Sequence, residues 1–382
     1  MARLAYRERV TSTPSDPRRI VGRAAVPVPV PAPQYPGGHH AYPPPVGAPP
    51  ALVARRRRWP RRLLALTLTL LMLFGVVAVG GWFYLDGLSR NLSRIDAFGT
   101  VPLPRPEKPV PGTRNLLILG SDSRDPDGAA AGRADTIILM HLPADRRQAY
   151  LISLPRDLWV SIPPTPDGSA GGHEAKLNAA TAFGGVPLMV HTVEQYTGVR
   201  IDHVVLLDFA GFVEVTDAVG GVDMYIEQTI QSIHGNKRVF EEGWQHLSGE
   251  EALDYVRQRY QFADGDFTRM RNQQQFLRAL LDRATSREVL ANPRRLDAFL
   301  RTLTATLTVD EDFSLIRVGW AFRHLRGDRL TFLTSPHAGT GNIGGQSVVL
   351  SDDAAAAELY AAVREDRVAD WVREHPDRLS GA

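Results

Sequence analysis

The apolar positions of the chain fall into two regimes. Residues 63–85 run without a single charged side chain, and 23 helical residues at about 1.5 Å each reach roughly 34 Å, enough to cross the hydrocarbon layer of a bilayer. Beyond Thr113 the apolar runs become short and are bounded by turn residues, at 115–120, 136–142, 149–154 and 203–207. These lengths predict strands. Between and after them the spacing changes to that of helices: Leu188, Met189, Thr192, Val193 and Tyr196 share one face, as do Phe276, Leu277, Leu280 and Leu281. Ser248 with Glu251 has the spacing of a capping box opening a helix over 252–259. Helices around 296–307 and 354–363 and a strand at 330–333 follow with no intervening linker. Strands alternating with helices predict a single α/β layered domain over 113–375.

The apolar run also orients the chain. Arg55, Arg56, Arg57, Arg58, Arg61 and Arg62 precede it and only Arg90 and Arg94 closely follow, so the positive-inside rule places the N-terminus in the cytoplasm and the domain outside. Trp59 and the Trp82-Phe83-Tyr84 cluster mark the two interfaces. A cleaved signal peptide has a shorter apolar core nearer the terminus, so an uncleaved single-pass anchor is expected. Residues 1–54 hold twelve of the 28 prolines. With the arginines behind them, residues 1–62 read as a disordered cytoplasmic arm. Pro102, Pro104, Pro106, Pro109 and Pro111 make 86–112 an expected stiff extracytoplasmic stalk.

Composition narrows the chemistry. Cysteine is absent, which removes disulfides, thiolate metal sites and thiol nucleophiles. The net charge of +2 hides an asymmetry: residues 1–62 carry twelve arginines against Glu8 and Asp16, which leaves 32 basic and 40 acidic side chains in the remainder. An acidic body argues against nucleic acid as a partner. Serine-hydrolase elbows, phosphate-binding GxxxxGK loops and HExxH zinc helices are missing. A GxGxxG match, Gly339 to Gly344, is approached by Pro336 and followed by a β-like Ser347-Val348-Val349, so it is expected to be a flexible loop. The histidines show no metal-ligand spacing.

Charge gathers instead where strands begin and end. The run Leu116 to Leu119 delivers Gly120-Ser121-Asp122-Ser123-Arg124, Arg133-Ala134-Asp135-Thr136 opens the next strand, and Pro155-Arg156-Asp157 closes a third. Ligands bind open α/β sheets at such ends. The carboxylates of Asp122 and Asp135 suit a hard divalent ion that keeps several waters and shares phosphate oxygens, and guanidinium forks suit the phosphates themselves. Further on, Arg257 and Arg259 stand at i and i+2, which do not share a helix face, so the helix is expected to end there. Arg269 and Gln273, at i and i+4, do share one, with Thr268 as an expected cap. Only Lys108, Lys176 and Lys237 are lysines among the 44 cationic residues.

The stretches 115–124, 133–136, 153–157, Lys176-Leu177-Asn178, 255–259 and 266–273, in this order and spacing, resemble the LytR-CpsA-Psr family, as do 204–209, Gly211-Phe212 and Val219 to Val222. The likeness covers about 113–284. It implies a layered α/β/α domain with a central mixed sheet, preceded by one transmembrane helix. It also implies a magnesium-dependent phosphotransferase that moves a glycopolymer from an undecaprenyl pyrophosphate carrier onto a peptidoglycan hydroxyl through a phosphodiester. On the same basis Asp122 and Asp135 correspond to the magnesium-associated carboxylates, and Arg133, Arg156, Lys176, Arg257, Arg259, Arg269 and Gln273 to the pyrophosphate contacts. Asp122, Arg133, Asp135, Arg156, Asp157, Arg257 and Arg259 are the expected catalytic set, with Asp122 or Asp157 as base. The helices at 186–197 and 276–281 are the expected lining of a polyprenyl tunnel. The same anion site would also serve a non-catalytic binder of polyprenyl pyrophosphates or a lipid-pyrophosphate hydrolase.

Overall fold

The computed structural model describes residues 31, 47, 59–121, 134–234, 237–262 and 265–379. The expected arm over 1–62 thus lies almost wholly outside the described residues. Helix α1 (Trp59–Asn91) contains, over Leu66–Asn91, a stretch long and apolar enough to cross a membrane. It leads directly into β1 (Ser93–Ile95). Strands β2 (Arg114–Ser121), β3 (Ala134–Leu142) and β4 (Ala149–Ser153) form a meander, followed by the hairpin of β5 (Trp159–Ile162) and β6 (His173–Lys176) and by α2 (Ala179–Thr197). Next come β7 (His203–Asp208), α3 (Phe209–Ala218), the short strands β8 (Val222–Ile226), β9 (Ile230–Gln231), β10 (Val239–Phe240) and β11 (Gly243–Leu247), then α4 (Gly249–Val256) and α5 (Asp266–Ala284). The C-terminal part adds α6 (Arg287–Leu290), α7 (Pro293–Thr306), β12 (Leu307–Asp310), α8 (Leu315–Phe322), β13 (Leu330–Thr334), the hairpin β14 (His337–Ile343) with β15 (Gln346–Ser351), α9 (Asp353–Arg364) and α10 (Val368–Glu374).

Seven strands make the central mixed sheet, in the order β1-β12-β7-β2-β3-β4-β13. Alternation along each strand sends its apolar side chains to two different layers. Leu117, Leu119, Ile137, Leu139 and Ile152 pack against Met189, Val190 and Val193 of α2 and Leu359, Val363 and Trp371 of α9 and α10. Ile138 and Leu151 on the other face, with Phe332 of β13, meet Ala321 of α8, and Ile118, Met140, Leu277 and Leu281 join them. Each fully buried side chain of this size contributes roughly 1.5–3 kcal/mol of apolar transfer. The result is an α/β/α arrangement of helices about a mixed sheet.

Two expectations are corrected. Residues 86–112 do not stand off as a stalk: β1 joins the sheet edge parallel to β12, Ala97 and Val101 are buried in the main core, and the proline-rich run is tied down by ions. Arg105 forks onto Glu194 of α2 (Nη2 to Oε1 2.5 Å, Nε to Oε2 3.1 Å), and Lys108 donates to Asp202 at 2.6 Å and to the Thr113 carbonyl at 2.7 Å. The prolines keep the segment extended, but its cations find carboxylates some ninety residues away. The glycine-rich 339–344 stretch is not a loop but strand β14 of a hairpin, with Gly344 and Gly345 at φ 58° and 79° supplying the left-handed turn that closes it.

Glu194 is 2% exposed. Its carboxylate's only other described bond is from the Ile201 amide at 2.7 Å. Arg105→Ala strands that carboxylate in the interior and is expected to lower unfolding free energy by about 3–5 kcal/mol in chemical denaturation of the detergent-solubilised chain; an unchanged midpoint would show the pair to be idle.

Candidate functional site

The antiparallel register of the meander puts three chain ends side by side. Ser121 at the end of β2 pairs with Ala134 at the start of β3, and Ile138 of β3 pairs with Ser153 at the end of β4. The Leu154 amide then donates to the Ile137 carbonyl at 2.9 Å, holding the turn that carries Arg156 and Asp157 against the same edge. Asp135 and Arg156 thus meet: Nη1 of Arg156 lies 2.5 Å from Oδ1 of Asp135.

Arg156 also approaches Asp157 (Nε to Oδ2 3.5 Å). Asp157 is 7% exposed and gathers two further cations, Lys176 at 3.1 Å and Arg259 at 3.9 Å. The lysine closes β6, paired with Trp159 of β5. A carboxylate held among three cations is a hub that orients them.

The arginines of 255–259 arrive by another route. Helix α4 ends at Val256 with Arg257 as its C-cap. Gln258, fully buried, donates to Ser232 Oγ at 2.9 Å, to the Asp254 carbonyl at 2.9 Å and to Asp254 Oδ1 at 2.7 Å. With the middle residue pulled inward, the backbone opens and Arg257 and Arg259 emerge on the same side. Arg257 stacks 4.4 Å over the Phe209 ring. Helix α5 contributes Arg269 and Gln273 from one face. It is fixed to the sheet by buried Gln274, which donates to Ser153 Oγ at 2.8 Å and to the Leu333 carbonyl at 3.3 Å. Its N-cap is Gly265, not Thr268, which lies buried inside the first turn.

These groups surround one cavity of about 250 Å³. Asp135, Arg156, Arg257, Arg259, Arg269 and Gln273 line it together with apolar side chains that include Ile118, Ile138, Phe212, Phe276, Leu277 and Leu280. Gly120 is in its floor, where an added Cβ would lie 2.9 Å from Thr136 Cβ. An amphipathic cavity of this kind fits a ligand with an anionic head and a hydrocarbon body.

Of the residues expected from sequence, Asp135, Arg156, Arg257, Arg259, Arg269 and Gln273 line the cavity, and Asp157 and Lys176 stand behind Arg156 and Arg259. Asp122 and Arg133 lie outside the described residues. The apolar lining is partly corrected: Phe276, Leu277 and Leu280 of α5 line the cavity, whereas α2 packs on the opposite face of the sheet, its Val186, Leu188 and Met189 in the main core. Further lining comes from residues not singled out for it, among them Phe209 and Phe212 of α3, Leu253 and Val256 of α4, and His234 and Tyr260. Asp208 was also missed as a site residue, although it ends β7 as the other charged groups end their strands. It caps α3 by accepting from the Gly211 amide at 2.7 Å. Among the described residues no group of three or more His, Asp or Glu is placed to cage a metal. Asp135 lines the cavity with its Oδ1 on Arg156, and a lining carboxylate of this kind suits an ion drawing most of its ligands from phosphate and water.

The family model described as the LytR_cpsA_psr family matches residues 104–365. Among curated relatives, the probable cell wall biosynthesis protein LcpB of Corynebacterium glutamicum is 34% identical over 286 residues, covering 72% of this chain and 65% of LcpB, so this chain spans just under two thirds of that relative's length. The polyisoprenyl-teichoic acid–peptidoglycan teichoic acid transferase TagU of Bacillus cereus is 32% identical over 257 residues, covering 64% of this chain and 80% of TagU. The crystal structure of Bacillus subtilis TagV superposes with a TM-score of 0.56 at 26% identity, covering 69% of this chain and 98% of TagV.

The delivery of Arg257 and Arg259 depends on α4, which starts in a capping box: the Ser248 amide donates to Glu251 at 2.9 Å. That bond holds the Glu251 carboxyl below its ordinary value, against the opposing effect of burial. A lowered folded-state value means the box stabilises fully above the ordinary glutamate range and loses that contribution as the pH falls below that range through the lowered value. Ser248→Ala is expected to cost about 1 kcal/mol. Glu251→Gln should flatten the acid limb of the stability profile below the ordinary glutamate range, read by thermal unfolding; an identical acid limb in wild type and variant would contradict this.

Proposed function

Because this chain belongs to the LytR_cpsA_psr family, we propose that it is a membrane-anchored phosphotransferase that takes a glycopolymer from an undecaprenyl pyrophosphate carrier and joins it to a peptidoglycan hydroxyl. One observation carries the reading: guanidiniums and apolar side chains line the same cavity, which suits a pyrophosphate whose other end is a polyprenyl chain. The teichoic acid and peptidoglycan in TagU's name supply the donor and acceptor classes. Helix α1 serves as the single-pass anchor, and the arginines that precede it keep the N-terminus in the cytoplasm and the domain at the outer face.

In this mechanism the polyprenyl chain lies along Phe212, Phe276, Leu277 and Leu280, and the pyrophosphate meets Arg156, Arg257, Arg259, Arg269 and Gln273. The acceptor hydroxyl attacks the phosphorus that bears the sugar. A new P–O bond forms, the P–O–P bridge breaks, the hydroxyl proton leaves to base, and polyprenyl phosphate departs. Phosphoryl transfer asks for positioning and neutralisation of charge more than for covalent help, and the guanidiniums provide both. The carrier's own phosphoanhydride supplies the driving force, so no nucleotide is needed. Asp157 acts as a positioning residue for Lys176, Arg156 and Arg259. Asp135, with Asp122, would hold a magnesium ion, whose chemistry there is to neutralise pyrophosphate oxygens.

The test incubates the full chain in nanodiscs with labelled lipid-linked polymer, peptidoglycan and magnesium. Wild type is expected to form polymer-linked peptidoglycan, and Asp135→Asn or Arg259→Ala to lower the rate about a hundredfold or more. No transfer by wild type, or undiminished transfer by both variants, would refute the assignment. Release of phosphate-ended polymer when acceptor is omitted would make water, not sugar, the natural acceptor.

A further inference from the structure

A second cavity, of about 330 Å³, lies on the same face of the sheet as the first but shares no lining residue with it. It sits under α8 at the opposite end of β2, and three guanidiniums converge on it: Arg114 from the start of β2, Arg146 from the β3–β4 turn and Arg317 from α8. Among the described residues none of the three is in an ion pair with a carboxylate. Arg114 donates to the Thr113 carbonyl at 2.9 Å, Arg317 to the Asp312 carbonyl at 3.3 Å, and the buried Nε of Arg146 has no hydrogen-bond partner. Arg146 is also held at φ 56°, in the left-handed region that non-glycine residues rarely adopt. Asp310, at the end of β12 beside His203 of the lining, is fully buried and already taken by His203 (3.1 Å) and the Val204 amide (2.8 Å). Three cations thus line one concavity, none of them in an ion pair among the described residues, which is a site for an anion.

The rim adds a second kind of chemistry. Trp320 is 64% exposed and Ile316 46% exposed, both against the cavity, and Arg323 stacks 4.2 Å over the Trp320 ring. Indole beside guanidinium is the combination that settles at the boundary of lipid and water. The location agrees. Leu92, immediately after α1, is buried with Phe313, and Leu315 and Val318 of α8 pack on the same cluster. Arg94 donates to the carbonyls of Asp310 (3.3 Å), Glu311 (2.6 Å) and Phe313 (3.2 Å), the turn to which Arg317 also bonds. The helix read as the membrane anchor therefore ends against the element that roofs this cavity.

We propose that this second cavity binds the phosphodiester headgroup of an anionic bilayer lipid, with Arg114, Arg146 and Arg317 on the phosphate and Trp320 and Ile316 in the interfacial layer. The site would hold the domain at a set distance and tilt over the membrane from which its substrate comes. The inference rests on the reading of α1 as an anchor. It is tested on the full chain in nanodiscs of phosphatidylcholine with or without phosphatidylglycerol, using brominated acyl chains as quenchers. The part of the tryptophan fluorescence that belongs to Trp320 is taken as the difference from Trp320→Phe. Quenching of Trp320 is expected to be several-fold greater by brominated phosphatidylglycerol than by brominated phosphatidylcholine. Arg317→Gln is expected to shift the phosphatidylglycerol dependence about tenfold, and Arg317→Lys to recover part of it. Equal quenching by the two lipids would overturn the proposal. So would equal occupancy by soluble glycerol 3-phosphate, which would make this a free-phosphate site. An unaltered thermal midpoint for Arg317→Gln separates loss of binding from loss of folding, and retention of the chain in the discs separates failure of this site from failure of the anchor.

Discussion

The arrangement depends above all on the register of three antiparallel strands. Side chains alternate along β2, β3 and β4, so a slip of one residue would turn every one of them to the wrong face. With Ser121 opposite Ala134 and Ile138 opposite Ser153, the polar ends of all three strands coincide while Ile118 and Ile138 stay together on the cavity face. Gly120 follows from the same pairing: directly opposite Thr136, it has no room for a side chain.

Around that frame, buried polar groups do the aiming. Asp157 draws Lys176, Arg156 and Arg259 toward one point, and Gln258 is pulled into the interior so that its two arginine neighbours face outward together. Gln274 fastens α5 to β4 and β13, which sets the height at which Arg269 and Gln273 stand over the sheet. Cations pre-positioned in this way need little reorganisation when an anion arrives, and a water-poor apolar neighbourhood strengthens their pull on it.

The C-terminal third carries none of the charged strand ends but is needed for the frame. Strand β13 extends the sheet parallel to β4, and β12 joins β1 to β7, which links the segment after α1 to the middle of the domain. The chain therefore folds from both sides of its motif-bearing centre, and the turn at 310–313 connects α1's end, the sheet and α8.

Much of this was legible in the linear chain because periodicity and strand-end charge are local signals. The runs at 115–120, 136–142 and 203–207, the box of Ser248 and Glu251, the helix end before Arg257 and the shared face of Arg269 and Gln273 each depend on neighbours a few residues away. Contacts between distant residues were not legible. Arg105 with Glu194, Lys108 with Asp202 and β1 with β12 turned an apparent stalk into part of the domain, and nothing near Pro102 to Pro111 announces partners so far along the chain. Likewise two stretches, 186–197 and 276–281, each carry an apolar face at helical spacing. Only the fold decides that α5 faces the cavity while α2 is spent on the core, because amphipathicity states that a helix has a buried side but not which face of a sheet will bury it.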